Sequence, residues 1–171
     1  MSDLKPRAPV PALNVAMTNG SSWQLAERRP EQFTMIVFYR GFHCPICKTY
    51  IAELDKKLSE FTRRGVDVVA ISGDTRERAQ QSCEKWGLPE LAVGYGFPDS
   101  EARNWGLFVS HAIKESEPAE FFEPGLFLIK PDGTLYASSV ISMPFARPHF
   151  GDVLSAIDFV VKNGYPARGE A

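Results

Sequence analysis

Apolar residues in this chain fall into two kinds of run, and their spacing predicts the elements. Phe33-Thr34-Met35-Ile36-Val37-Phe38-Tyr39 is nearly continuous in apolar side chains, the pattern of a strand buried on both faces. Val66 to Ser72 repeats it, and Leu126 to Lys130 is a shorter version. Between them the period changes. Cys47, Ile51, Leu54, Leu58 and Phe61 recur at steps of three and four, which predicts one buried stripe on a helix from Pro45 to about Arg63. Proline suits its first position, and Gly65 suits its stop. Thr75 to Trp86 reads as a helix ended by Gly87, and Asp99 to about Leu107 as a short helix before a long irregular stretch. A last helix spans about Pro148 to Lys162, with Phe150, Val153, Leu154, Ile157 and Val161 as its apolar face and Asn163-Gly164 as its end.

Turn residues place the remaining strands. Asn19-Gly20 predicts a hairpin within Leu13 to Leu25, and Pro131-Asp132-Gly133 turns Leu126–Lys130 into a fourth strand, Thr134 to Ile141. Residues 1–11 form an extended arm, clearest from Pro6 to Pro11, and 165–171 form a tail. Strands joined by a helix are parallel with right-handed crossovers, while the late hairpin adds antiparallel strands. The expected architecture is α/β, a mixed central sheet with helices on both faces. No repeat or linker interrupts it, so a single domain over 1–171 is expected.

Composition narrows the function. A net charge of −2 and a pI near 5.9 supply no basic face for nucleic acid and no attraction to anionic lipid. No apolar run approaches the roughly 20 residues of a membrane span. Met1 to Pro11 carries three prolines and no apolar core of a secretory signal, so a cytoplasmic location is expected. Three cysteines, Cys44, Cys47 and Cys83, do not make a disulfide framework there.

The chemistry gathers at His43-Cys44-Pro45-Ile46-Cys47. Thiolate is the reactive form of cysteine, and the unpaired N–H groups of a helix start favour it at Cys44. Cys47, three residues on, shares that face and continues the buried stripe. The expectation is an exposed nucleophile, Cys44, with a shielded resolving thiol behind it. Two other readings of the pair remain: small buried apolar side chains, or zinc ligands. Zinc would need Cys83, His43, His111 or His149 to complete four ligands, and no second Cys-x-x-Cys exists. His43 either lowers the Cys44 pKa as a cation or is a solvated loop residue. Arg40 and Arg147 are the candidate thiolate-stabilising cations. Cys83 reads as a half-buried helix residue or an alternative resolving thiol, and Glu115 to Glu120 as a solvated acidic loop. No organic cofactor is implied, since electrons pass through sulfur.

Tyr39 to Cys47, Lys48 to Leu54 after it, and Phe127-Leu128-Ile129-Lys130-Pro131-Asp132-Gly133 resemble peroxiredoxin-like proteins of the alkyl hydroperoxide reductase and thiol-specific antioxidant (AhpC/TSA) group. Met143-Pro144-Phe145-Ala146-Arg147-Pro148 is similar to a feature of one branch of it. The resemblance runs from about Ala12 to Val161. It implies a thioredoxin-like fold with a peroxiredoxin-type N-terminal hairpin and a central insertion, and Cys44 in the place of the peroxide-attacking cysteine. It also implies a thioredoxin-type or small-thiol reductant and is compatible with a homodimer. Two positions depart from the family. Gly41 stands where the family has a threonine three residues before the cysteine. Pro124 stands where it has an arginine at the head of the late strand. A cis Pro124 would resemble the thioredoxin and glutaredoxin proline, exposing a backbone edge to a protein disulfide; a trans proline would merely open the strand. Peroxide reduction is the leading reading because the resemblance spans the chain. Protein disulfide exchange is the alternative, ahead of a non-catalytic binding module or a zinc-stabilised domain.

Overall fold

The computed structural model describes residues 4–171; the first three residues of the expected arm lie outside it. Strands β1 (Asn14–Met17) and β2 (Ser22–Gln24) form the hairpin turning at Asn19-Gly20, where Gly20 takes φ +89°. Strand β3 (Phe33–Phe38) is buried along its whole length. Helix α1 (Pro45–Arg63) has the predicted limits and buries Cys47, Ile51, Leu54 and Phe61. Strand β4 (Val66–Ile71) follows, then α2 (Arg76–Trp86), capped by the Thr75 side chain and ended by left-handed Gly87. Beyond it come β5 (Val93–Tyr95), α3 (Asp99–Asn104), β6 (Val109–His111), β7 (Glu120–Phe122), β8 (Gly125–Ile129), β9 (Leu135–Val140) and α4 (Phe150–Asn163).

Seven strands make one mixed sheet in the order β2-β1-β5-β4-β3-β8-β9. β3, β4 and β5 run parallel, and β8 and β9 are antiparallel additions. Side chains alternate across β3 as a two-residue period requires. Met35 and Val37 meet α1, α4 and Trp86 on one face, while Ile36 and Phe38 join α3, Trp105 and Phe122 on the other. Phe38 is the hub of the second face, with the rings of Phe97, Trp105, Phe122 and Phe127 all within 6 Å. None of the described helices is long and apolar enough to cross a membrane.

Two expectations are corrected, and two features are added to them. Val93–Tyr95, with Gly94 at its centre, is a sheet strand linking β4 to β1. The stretch after α3 is not irregular, because β6 and β7 pair into a separate hairpin. Val161 is 45% exposed and off the buried face of α4, which consists of Phe150, Leu154 and Ile157. The arm and the tail are docked. Arg7 N–H donates to Leu135 O and Val10 N–H to Gly133 O, and the Arg7 side chain donates to Ala167 O, whose residue is buried.

Candidate active site

The site lies at the C-terminal end of β3, where Tyr39 to His43 lead into α1. Cys44 is the residue capping that helix, with φ −100° and ψ 106°, and its sulfur accepts a hydrogen bond from Cys47 N–H at 3.2 Å. The sulfur is therefore an acceptor for the helix start, as the position of Pro45 predicts. One guanidinium reaches both thiols. Arg147 Nη2 lies 3.2 Å from Cys47 Sγ and 3.8 Å from Cys44 Sγ. Its Nε donates to Pro144 O at 2.7 Å, and its plane sits 5.2 Å from the Tyr50 ring centre. Tyr50 in turn donates to Pro148 O at 2.6 Å, tying the loop that carries Arg147 to α1. Arg147 Nη1 is buried and has no hydrogen-bond partner.

The two thiols divide their chemistry. Hydrogen bonds from the Cys47 thiol and backbone N–H, with the positive charges of Arg147 and Arg40, overcome burial and bring the Cys44 pKa down to about 6. Burial and the neighbouring Cys44 push Cys47 up, so it keeps its proton. The two pKa shifts run in opposite directions, and the expected exposure is wrong. Cys44 is only 1% exposed, against 0% for Cys47. Cys44 belongs to the core cluster that holds Tyr39, Ile51, Leu126 and Phe150, and the Arg147 side chain reaches its sulfur.

The other candidates separate. Arg40 is engaged elsewhere: its Nε lies 3.2 Å from the buried Glu123 Oε2, its guanidinium is 4.7 Å from the Phe121 ring, and Glu123 also accepts from Ser110. It acts on Cys44 only through space. His43 is neither a cation nor a solvated loop residue. Its ring packs on Phe121 at 4.8 Å with both nitrogens buried and unpartnered, and burial, then Arg40, lowers its pKa to about 4. No described peptide bond is cis, so Pro124 is a trans proline, and its carbonyl is taken by Ile141 N–H at 3.2 Å. Cys83 is half-buried, its thiol held up by burial, and donates to Thr18 Oγ1 at 3.7 Å. Among the described residues no group of three or more His, Cys, Asp or Glu side chains is placed to hold a metal ion.

Gly41 has a conformational reason to be glycine. Its φ is +134°, and a Cβ there would lie 2.7 Å from Asp74 Oδ1. Asp74, three residues beyond the end of β4, was not singled out by sequence because an Asp in Ser-Gly-Asp-Thr reads as turn and helix-cap chemistry. Glu123 was missed for a similar reason, as one more acid near a charged loop.

A sheet of this order, with two thiols opening the helix after its central strand, is a thioredoxin-like fold carrying a dithiol site. Within that class, a sequence model of the AhpC/TSA family matches residues 6–138, and the chain belongs to that family. Among curated protein sequences none matches it. Among solved structures it is similar to a peroxiredoxin-like protein from Aquifex aeolicus, with 15% identity, a TM-score of 0.75, and coverage of 94% of this chain and 90% of that one. It is also similar to peroxidoxin BcpB from Mycobacterium tuberculosis, at 16% identity and TM-score 0.73, covering 92% and 98%. The mitochondrial 2-Cys peroxiredoxin from Plasmodium falciparum gives 19% identity and TM-score 0.72, covering 95% and 99%. At such identities the likeness is one of fold.

Proposed function

We propose that this protein reduces hydroperoxides, with Cys44 as nucleophile, Cys47 as resolving thiol and Arg147 as the cation that activates both steps. The observation that carries this reading is the Arg147 guanidinium: one nitrogen touches the two sulfurs, and the other is buried with its donors unused. A buried, unsatisfied charged donor is costly unless something pairs with it in the working state. A peroxide oxygen is a fitting acceptor, since negative charge develops on it as the O–O bond breaks.

The steps balance. Cys44 thiolate attacks the terminal oxygen of ROOH; the S–O bond forms, the O–O bond breaks, and the leaving alkoxide takes a proton to depart as alcohol, or as water when R is hydrogen. Cys44 is then a sulfenic acid. The Cys47 thiol attacks that sulfur, its proton and the hydroxyl leave as water, and a Cys44–Cys47 disulfide remains. A small thiol or thioredoxin-type dithiol returns it to two thiols by exchange. A cytoplasmic setting fits this cycle, because thiol reductants are replenished there.

Burial of Cys44 favours this substrate class over a protein disulfide. A hydroperoxide needs to bring only two oxygens to the sulfur, whereas a protein disulfide must bring its backbone too. At Pro124 the backbone carbonyl is already bonded. Hydrogen peroxide consumption and insulin reduction, measured in parallel with a common thiol reductant, test the reading. Wild type should consume peroxide and leave insulin intact. Cys44→Ser should abolish turnover, and Cys47→Ser should form sulfenic acid without closing the disulfide. Insulin reduction without peroxide turnover would sink the proposal.

A further inference from the structure

We infer that Asp74 is the positioning residue for Cys44, setting the turn that places its sulfur at the helix start. The inference rests on Cys44 being the reactive thiol, but not on peroxide being its substrate. Gly41 to His43 carry no side-chain hydroxyl to hold the approach to the cysteine; the Asp74 carboxylate occupies the space a Gly41 side chain would fill. One of its oxygens accepts from Phe42 N–H at 2.8 Å, and the other from Arg78 Nε at 3.3 Å. With the Phe42 amide fixed, Gly41 takes its positive φ and turns its carbonyl to accept from Cys44 N–H at 3.1 Å.

A second contact anchors the same turn. The Phe42 ring stacks on Trp86 and lies within 6 Å of the Arg78 and Lys85 cations, all on α2. The chain from β4 to the sulfur is thus Asp74 carboxylate, Phe42 amide, Gly41 carbonyl and Cys44 amide. Asp74 is 4% exposed and touches neither sulfur, so it acts through the backbone. The groups facing Cys44 itself are Cys47, Arg147 and, at longer range, Arg40.

The test is the titration of Cys44 in the full reduced chain, read by the pH dependence of iodoacetamide alkylation mapped to that residue. Asp74→Ala should raise the pH of half-reaction by one unit or more, an about fivefold slower alkylation near pH 6. Asp74→Asn keeps an acceptor for Phe42 N–H and should restore the wild-type profile. Gly41→Ala approaches the contact from the other side and should move the titration in the same direction as Asp74→Ala. It also keeps the test open if that variant fails to fold. An unmoved titration in Asp74→Ala or Gly41→Ala overturns the inference; so does an Asp74→Asn profile as shifted as that of Asp74→Ala, which would make charge, not the backbone contact, the agent. Wild-type protein whose Cys44 titrates near 6 but which turns over no peroxide would count against the peroxidase reading alone and leave this inference standing.

Discussion

At the scale of single residues, the reactivity of Cys44 is a balance between burial, which opposes the thiolate, and four groups that favour it. Arg147 is the charge among them in hydrogen-bond contact with the sulfur. Arg147→Ala should therefore move the Cys44 titration from about 6 toward the ordinary thiol range and cut peroxide turnover about 100-fold. Arg40→Lys, which preserves a charge paired with Glu123, should leave the titration near its wild-type place. The same pKa is a stability statement. A thiol whose folded pKa lies near 6 and whose unfolded value is 9.0 stabilises the fold fully above 9, and that contribution is lost as pH falls through 6. Melting of the reduced protein should accordingly shift upward by several degrees between about pH 6 and 9, and the shift should vanish in Cys44→Ser. His43 cannot imitate it: its depressed pKa places its own loss of stability between 6.5 and about 4. A melting temperature flat across the upper window in wild type would contradict the lowered pKa.

Among the elements, legibility followed the strength of local patterning. Helix α1 was readable to the residue because proline, the three-and-four stripe and Gly65 all agree. Strand β5 was not, since three residues with a glycine at the centre carry no period, and only pairing with β4 and β1 makes them a strand. The site divides the same way. Cys44 and Cys47 stand out by spacing, and Arg147 by its place in Met143 to Pro148. Which arginine meets the sulfur, the role of Asp74 and the burial of Cys44 all depend on contacts between distant segments. Val161 shows how far periodicity carries: it fits the α4 stripe, but on the last turn it is Val160 that packs on the core, and Val161 is left 45% exposed. Ile51→Ala, inside the α1 stripe and fully buried, should lower stability by about 2–5 kcal/mol in urea unfolding. Val161→Ala should change it by no more than about 0.5 kcal/mol. Equal costs at the two positions would mean that the α4 face is drawn wrongly.

For the whole molecule, the sheet separates its two ends. Register places Phe38, Gly125 and Val140 together beside the thiols, and Thr34, Ile129 and Leu135 together at the other end. The arm and the tail dock at that second end. Tyr136 Oη donates to Tyr165 O, the Arg7 side chain donates to Ala167 O, and Arg7 Nη1 lies 3.4 Å from Glu170. Arg7 and Ala8 also bond the backbone of Leu135 at the start of β9, and Val10 that of Gly133 in the turn before it, which occupies donors and acceptors of that edge. Ending the chain after Gly164 removes the Arg7 and Tyr136 partners but touches nothing within the layer around Cys44. Amide exchange should quicken at residues 7–10 and 133–136, while the alkylation profile of Cys44 stays in place, because β3 and β8, which run between the two ends, are buried along their length and paired on both sides. A Cys44 profile that moved with this truncation would show the sheet transmitting the loss from one end to the other, and the independence argued from its register would be wrong.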